Sequence, residues 1–288
     1  MKTLVLPIAL TLAVTAQADT DPLIAQTLNQ HYPVNADASA RLARASDGKQ
    51  RECHYYRVDD DEYCMTLRSE KTADSAQGKR RYLLFTGKNL NEGHASAGLA
   101  VLFAFTEENG GWRETAHGQT EAGEWGDAPE GWQWQEFGPG YWGVVGKSGF
   151  VQGGGLEEAF NILHDDGERI ASSTIPATSS YDEFCDPAVE KFCDNFWEGE
   201  AGAKEHLANT KDLQATLNIR RDLNPVGNSW PLEITLNGYD GRKITGRENN
   251  GAYRLAPIKE YRQEKYTFPY DATKHDYQMP DNYPIRFD

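Results

Sequence analysis

Residues 99–112 read LAVLFAFTEENGGW, and this stretch decides the fold class. An apolar run from Leu99 to Phe105 is followed by polar residues, by Asn109-Gly110-Gly111 and by Trp112. Asn-Gly supplies the positive φ angles that tight turns between antiparallel strands require. An apolar run that ends at such a turn predicts a β-hairpin.

The same turn signal recurs along the chain. Asn-Gly and Asp-Gly dipeptides also stand at 166–167, 237–238, 240–241 and 250–251. No segment has the order strand, long helix, strand that a parallel α/β sheet requires. The sequence therefore predicts a mainly β protein of antiparallel sheets, arranged as a sandwich or a meander, with a short N-terminal helix.

Changes in composition and periodicity divide the chain into five expected segments. Pro22 in a first turn, followed by the apolar residues Leu23, Ile24 and Leu28, indicates the N-terminal helix. A helix-start signal at Asp186-Pro187 lies in a stretch that separates two β-rich parts. We expect a signal peptide at 1–18, a helical lead-in at 19–50, a main β section at 51–178, a helical cysteine-containing insertion at 181–212, and a C-terminal β section with an irregular surface tail at 213–288.

The N-terminal segment has the pattern of a secretory signal peptide. Lys2 is its only charge, residues 4–14 are largely apolar, and Ala16-Gln17-Ala18 offers the small residues that signal peptidase recognises, which places the cut after Ala18. The apolar run is shorter than the ~20 residues of a spanning helix. We therefore expect a periplasmic or extracellular protein whose mature chain does not insert into the membrane.

The composition excludes two classes of protein. With 29 Lys and Arg against 44 Asp and Glu, the formal net charge of the 288 residues is −15. Binding a nucleic-acid backbone by general electrostatics needs an excess of basic residues, so no nucleic-acid partner is expected. An aromatic content of 11 % is too high for a disordered chain.

Four cysteines in an exported chain predict two disulfides. Cys53 and Cys64 flank a segment that can form a hairpin turning at Val58-Asp59, which would place them directly opposite each other. Cys185 and Cys193 form the second expected pair, and a crosswise pairing is the alternative. The spacing contains no Cys-x-x-Cys, which disfavours zinc, and no metal or cofactor is predicted.

The segment 125–155 is rich in tryptophan and glycine. On a strand, Trp132 and Trp134 point to one face, and Tyr141 and Trp142 follow within the next turn and strand. Large aromatic rings on one face favour a stacking platform, so these four residues are the predicted binding residues. The alternative is that the rings only pack the core.

Two functional hypotheses follow from these observations. The first is an exported β-rich protein that binds a protein or an envelope glycan without catalysis. The second is a secreted hydrolase acting on a polysaccharide, since such enzymes use two carboxylates near aromatic side chains. The acids that surround the tryptophans are Glu114, Glu121, Glu124, Glu130 and Glu136.

Overall fold

The computed structural model describes residues 21–45, 52–75, 78–91, 96–152, 155–181, 200–249 and 253–287. The expected signal peptide at 1–18 and the expected Cys185–Cys193 pair lie outside these residues. Within them the chain is mainly β, and every pair of neighbouring strands is antiparallel, which confirms the predicted fold class.

The N-terminal half forms a five-stranded meander in which strands adjacent in sequence are adjacent in space. The hairpin predicted from residues 99–112 joins the fourth and fifth strands, with positive φ at Asn109 and Gly110. The strands are β1 (His54–Val58), β2 (Asp61–Ser75), β3 (Gly78–Asn89), β4 (Gly98–Glu108) and β5 (Gly111–Ala122).

A seven-stranded sheet follows, also in sequential order, with a small hairpin after it. Its strands are β6 (Gln133–Gly138), β7 (Tyr141–Gln152), β8 (Gly155–Asp165), β9 (Ile170–Tyr181), β10 (Lys211–Ile219), β11 (Leu232–Arg247) and β12 (Tyr253–Phe268). The small hairpin consists of β13 (Tyr270–Asp271) and β14 (Asp276–Tyr277). Here β6 and β12 are the two edges.

The two sheets pack face to face on an apolar layer, which we call the inter-sheet cluster. Alternation along each strand sends every second side chain into this layer and the others to the outer faces. The cluster contains Tyr82, Leu84, Ala100, Leu102, Ala104, Val144, Leu163 and Ile170.

Helix α1 (Pro22–His31) covers the outer face of the five-stranded sheet, where Leu23 joins a core with Met65 and Phe103. Its start is fixed by Asp21, whose side chain accepts a hydrogen bond from the Leu23 amide. The predicted N-terminal helix is thus confirmed. Helices α2 (Ala36–Ala45) and α3 (Glu200–Asn209) are equally short, and no helix in the described ranges is long and apolar enough to cross a membrane.

The expected surface tail is instead part of the core. Residues 269–287 lie on the outer face of the seven-stranded sheet, and Tyr270, Tyr277, Tyr283 and Ile285 are buried there. The Tyr283 hydroxyl donates to the Pro176 carbonyl at 2.7 Å. The physical reason is that the sheet presents apolar side chains on this face, and burying aromatic rings against them removes both from water.

The Cys53–Cys64 disulfide is present, with the two Cα atoms 5.1 Å apart. The expectation that the cysteines are directly opposed is wrong, because Cys64 pairs with Tyr55 in the β1–β2 ladder. Val58 pairs with Asp61, so the turn is Asp59-Asp60 rather than Val58-Asp59, with a positive φ of 49° at Asp59, and this shifts the register. The bridge therefore crosses the ladder diagonally.

Candidate functional site

The structure brings Trp132, Trp134 and Trp142 together at one edge of the seven-stranded sheet. All three are half-buried and pack on the inter-sheet cluster. The Trp134 indole donates to the Ser69 hydroxyl at 3.2 Å, and the Lys71 ammonium lies 4.0 Å from the centre of the Trp142 ring. The indoles of Trp134 and Trp142 are thus each held by a contact to β2 of the opposite sheet.

Tyr141 lies deeper than the three tryptophans and is buried. The Arg80 guanidinium lies 4.8 Å from the centre of its ring. Arg80 also forms a buried ion pair with Asp165, which accepts a hydrogen bond from the Tyr82 hydroxyl at 3.0 Å. The ring of Tyr141 therefore packs against an internal charge network.

Strand β6 is much shorter than its neighbour β7. Its pairing with β7 stops at Gln133 opposite Val145. Beyond this point residues Gly146–Gln152 of β7 pair with β8 on one side, and in the described part of the chain they have no strand partner on the other. We call this segment the free β7 edge.

A tight turn precedes the tryptophan segment and carries an exposed aromatic residue. In the Trp125 turn (residues 124–127), Trp125 and Gly126 have φ of 57° and 78°, the signs of a type I′ turn. The Gly126 amide donates to the Ser96 carbonyl at 2.7 Å, and its carbonyl accepts from the Asn89 amide at 2.8 Å. These bonds hold Trp125 in place while leaving 53 % of it exposed.

A positive φ is unfavourable for tryptophan. The left-handed region brings Cβ close to the following carbonyl oxygen, at a cost of about 1–2 kcal/mol. Asn or Gly would occupy this position with less strain. Backbone strain of this kind is concentrated at functional sites, so the exposed Trp125 is the first candidate for contact with a ligand.

Two clefts flank the loop that contains the Trp125 turn, and Asp127, Ala128 and Pro129 line both. The β7 cleft, of about 330 Å³, lies between this loop and the β7–β8 hairpin. The β2–β3 cleft, of about 490 Å³, lies between the loop and the five-stranded sheet. The loop thus forms a wall between two accessible spaces.

Three carboxylates and one ammonium group line the β7 cleft. Lys147 lies 2.5 Å from Glu158 and donates to the Thr178 hydroxyl at 2.9 Å. Although burial raises the pKa of Glu158, the hydrogen bonds from Lys147 and Thr178 and the charge of Lys147 lower it overall. Glu158 is therefore held ionised. Asp127 and Glu124 are the other two carboxylates.

A buried polar network lies at the turn between β8 and β9. The His164 Nε2 atom is 3.0 Å from the Ser229 hydroxyl, and both residues are fully buried. Next to it, Asp166 accepts a hydrogen bond from Tyr270 at 2.6 Å and lies 2.6 Å from His275 Nδ1. None of these residues lines either cleft. The network ties the turn to distant parts of the chain.

Sequence reasoning missed both the exposure of Trp125 and this network. The only local signal for the turn that exposes Trp125 is the dipeptide Trp125-Gly126 in a Gly-rich stretch. This dipeptide has no strong preference for a turn. The histidines are scattered in the sequence and only the fold brings them together. Among the described residues no group of three His, Cys, Asp or Glu is arranged to hold a metal ion.

The accessible features are therefore the Trp125 turn, the free β7 edge and the two clefts. The three half-buried indoles support this region from the inter-sheet side. Comparison of the chain with known protein families, with curated proteins and with solved structures finds no match.

Proposed function

We propose that this chain is an exported binding protein that holds a protein or an envelope glycan at the Trp125 turn, without catalysis. The observation that carries the proposal is the half-exposed Trp125 with its positive φ, held by backbone hydrogen bonds. A rigid aromatic side chain buries a large area at little entropic cost, and tryptophan is enriched among residues that dominate binding energy.

Trp132, Trp134, Tyr141 and Trp142 remain predicted binding residues in this proposal. The three indoles are half-buried where β6 pairs with β7, so each residue leaves a part exposed for contact with a ligand. Their buried parts pack on the inter-sheet cluster and position the chain that leads out of the loop. Tyr141 is buried, so its part in this proposal is indirect: its ring packs against the Arg80 guanidinium below the surface.

Binding is favoured over polysaccharide hydrolysis by the placement of the acids. Glu124 lines the β7 cleft, whereas Glu130 lines the β2–β3 cleft, so these two do not flank one bond. Glu136 accepts a hydrogen bond from the Gly140 amide within its own turn. A general acid needs a raised pKa, and the pKa of Glu158 is lowered.

Export is supported by two observations. The signal-peptide pattern at 1–18 is one, and the disulfide between Cys53 and Cys64 is the other. Disulfides persist in oxidising compartments and are rare in the cytosol. The proposal places the protein in the periplasm or the extracellular medium.

The test compares Trp125→Ala with Ile258→Ala. Ile258 is 54 % exposed, close to the 53 % of Trp125, and lies on the opposite edge of the sheet. The wild type and both variants are immobilised and offered the exported proteins and the envelope glycans of the source cells. Bound material is identified by mass spectrometry and its affinity is then measured.

We expect Trp125→Ala to weaken binding by about tenfold or more, the effect of removing a dominant aromatic contact. Ile258→Ala should bind as the wild type does. Equal binding by all three proteins would overturn the proposed site.

A further inference from the structure

The two edges of the seven-stranded sheet differ in the features that prevent pairing with another strand. Along β12, the exposed charges alternate in sign from Lys259 to Lys265, Pro257 removes an amide, and the register with β11 shifts twice. Gln263 adds a positive φ of 56°. Charges, proline and bulges keep an edge strand from pairing with another chain. The exposed charged residues of β12 are Arg254, Lys259, Glu260, Arg262, Glu264 and Lys265.

The free β7 edge has the opposite character. Its ladder with β8 is regular from Gly143 to Gln152, and its sequence, GKSGFVQ, contains one charge and no proline. Phe150 and Val151 are 49 % and 72 % exposed. A regular edge with exposed apolar side chains is a template for strand pairing, which a stable protein protects or uses.

The loop that faces this edge is held away from it. The Ala128 backbone packs against Gly98, where a Cβ atom would lie 2.0 Å from the Ala128 nitrogen. The loop is therefore seated on the start of β4, and the β7 cleft stays open between the loop and β7. An extended segment of seven residues, matching 146–152, would span about 23 Å along this edge.

The lining of the β7 cleft selects the charge of the occupant. Its three carboxylates are Glu124, Asp127 and Glu158. Lys147 pairs with Glu158 and Lys88 pairs with Asp127, so Glu124 adds a further negative charge to these two ion pairs. Val151 and Leu156 supply apolar contacts beside them. A second copy of the chain would bring another acidic cleft and another net charge of −15, so charge complementarity favours a basic partner.

We infer that the free β7 edge binds an extended peptide segment with Lys or Arg side chains, which adds as a new strand along Gly146–Gln152. The peptide backbone would pair with the unused amides and carbonyls of β7, and its basic side chains would meet Glu124, Asp127 and Glu158. This inference rests on the proposed function and names the class of its partner.

The test uses three synthetic peptides with blocked ends, each about ten residues long. The first alternates Lys with Val, the second alternates Glu with Val, and the third is the Lys peptide with every second backbone nitrogen methylated. Fluorescence anisotropy gives the affinity of each for the full chain. Hydrogen–deuterium exchange reports the amides of 146–152 with and without the Lys peptide.

A pair of charge-reversed variants separates local from general electrostatics. Glu124→Lys changes the β7 cleft, and Glu260→Lys makes the same charge change on the β12 edge. We expect the Lys peptide to bind Glu124→Lys about tenfold more weakly than the wild type, and Glu260→Lys within about twofold. The Glu and N-methylated peptides should bind the wild type at least about tenfold more weakly than the Lys peptide.

Slower exchange at alternate amides of 146–152 with the Lys peptide bound would support strand addition. Equal affinity of the N-methylated peptide, unchanged exchange there, or no binding of the Lys peptide would overturn it. A dimer whose 146–152 amides exchange slowly without peptide would also overturn it, in favour of a second copy. The Trp125→Ala comparison is independent of these outcomes, so failure of strand addition is distinguishable from failure of the proposed function.

Discussion

The His164 imidazole and the Ser229 hydroxyl lie 3.0 Å apart in the interior, joining the end of β8 to the loop before β11. The imidazole stacks on Phe137, with ring centres 4.8 Å apart. Burial lowers the pKa of His164 to about 4, and the charge of Asp166 opposes this only in part. His164 is therefore neutral in the folded protein at neutral pH.

We expect this histidine to make the fold sensitive to mild acid. The unfolded chain takes up a proton at His164 below about pH 6.5, whereas the folded chain does so only below about pH 4. Protonation between these values stabilises the unfolded state, so the free energy of unfolding should fall by up to about 3 kcal/mol as the pH falls from about 6.5 to about 4. Urea unfolding across this range measures the effect.

His164→Asn should flatten that dependence on pH. His117→Asn is the matched control, because the His117 side chain is 53 % exposed and contributes no buried imidazole. An identical slope in the wild type and His164→Asn would contradict the prediction.

Arg80→Met should be strongly destabilising. It leaves Asp165 buried without its cation, and breaking a buried ion pair costs about 3–5 kcal/mol. Adding Asp165→Leu to the same chain should recover part of the loss, because both charges are then gone. Thermal and urea unfolding measure this. Arg113→Met, in the exposed pair with Glu108, should leave the unfolding midpoint unchanged, and equal losses in the two single variants would contradict the prediction.

Gly146→Ala should displace Trp132. A Cβ atom at this position would lie 2.8 Å from the indole ring, closer than carbon atoms pack. We expect a loss of about 1–3 kcal/mol and a change in tryptophan fluorescence. Gly131→Ala is the control, since its added methyl group meets no atom within 4 Å. If Gly146→Ala left the stability and the fluorescence unchanged, the prediction would be contradicted, and Trp132 would be able to shift without a loss of stability.

Trp125→Asn should separate stability from binding. Asn tolerates a positive φ better than Trp, so the free energy of unfolding should rise by up to about 1 kcal/mol. Binding at the Trp125 turn should fall at the same time, because the exposed ring is lost. A drop in stability would show that packing of the ring outweighs the backbone strain.

Peptide mapping without reductant should recover two linked pairs. The structure shows Cys53 joined to Cys64, and the sequence predicts Cys185 joined to Cys193. Linked peptides are identified by mass and disappear after reduction. Free thiols at 185 and 193, or a crosswise pair, would contradict the second assignment.

The elements that could be predicted from sequence are those fixed by neighbouring residues. Asn109-Gly110 sets a turn by its own backbone preference, and Asp21-Pro22 starts a helix in the same local way. The antiparallel fold class follows from many such turns. The register of β1 against β2 did not follow, because it depends on which residue of Val58-Asp59-Asp60 takes the positive φ.

The candidate site depends on longer-range features. The free β7 edge exists because β6 stops pairing at Gln133, and the exposure of Trp125 depends on hydrogen bonds to Ser96 and Asn89. Neither the length of a pairing nor a contact between distant loops is encoded in a local pattern. The composition identifies the tryptophan-rich segment, but it does not indicate which of the indoles is exposed to water.

Tyr283 and Ile285 complete the layer that covers the seven-stranded sheet. Because these residues follow the last strand of the sheet in the chain, the outer face is covered only after every strand of that sheet has been synthesised. Before that point the apolar side chains of this face lack their cover, and exposed apolar surface of this kind favours aggregation. A late-closing fold of this kind is compatible with passage through a translocation pore as an unfolded chain.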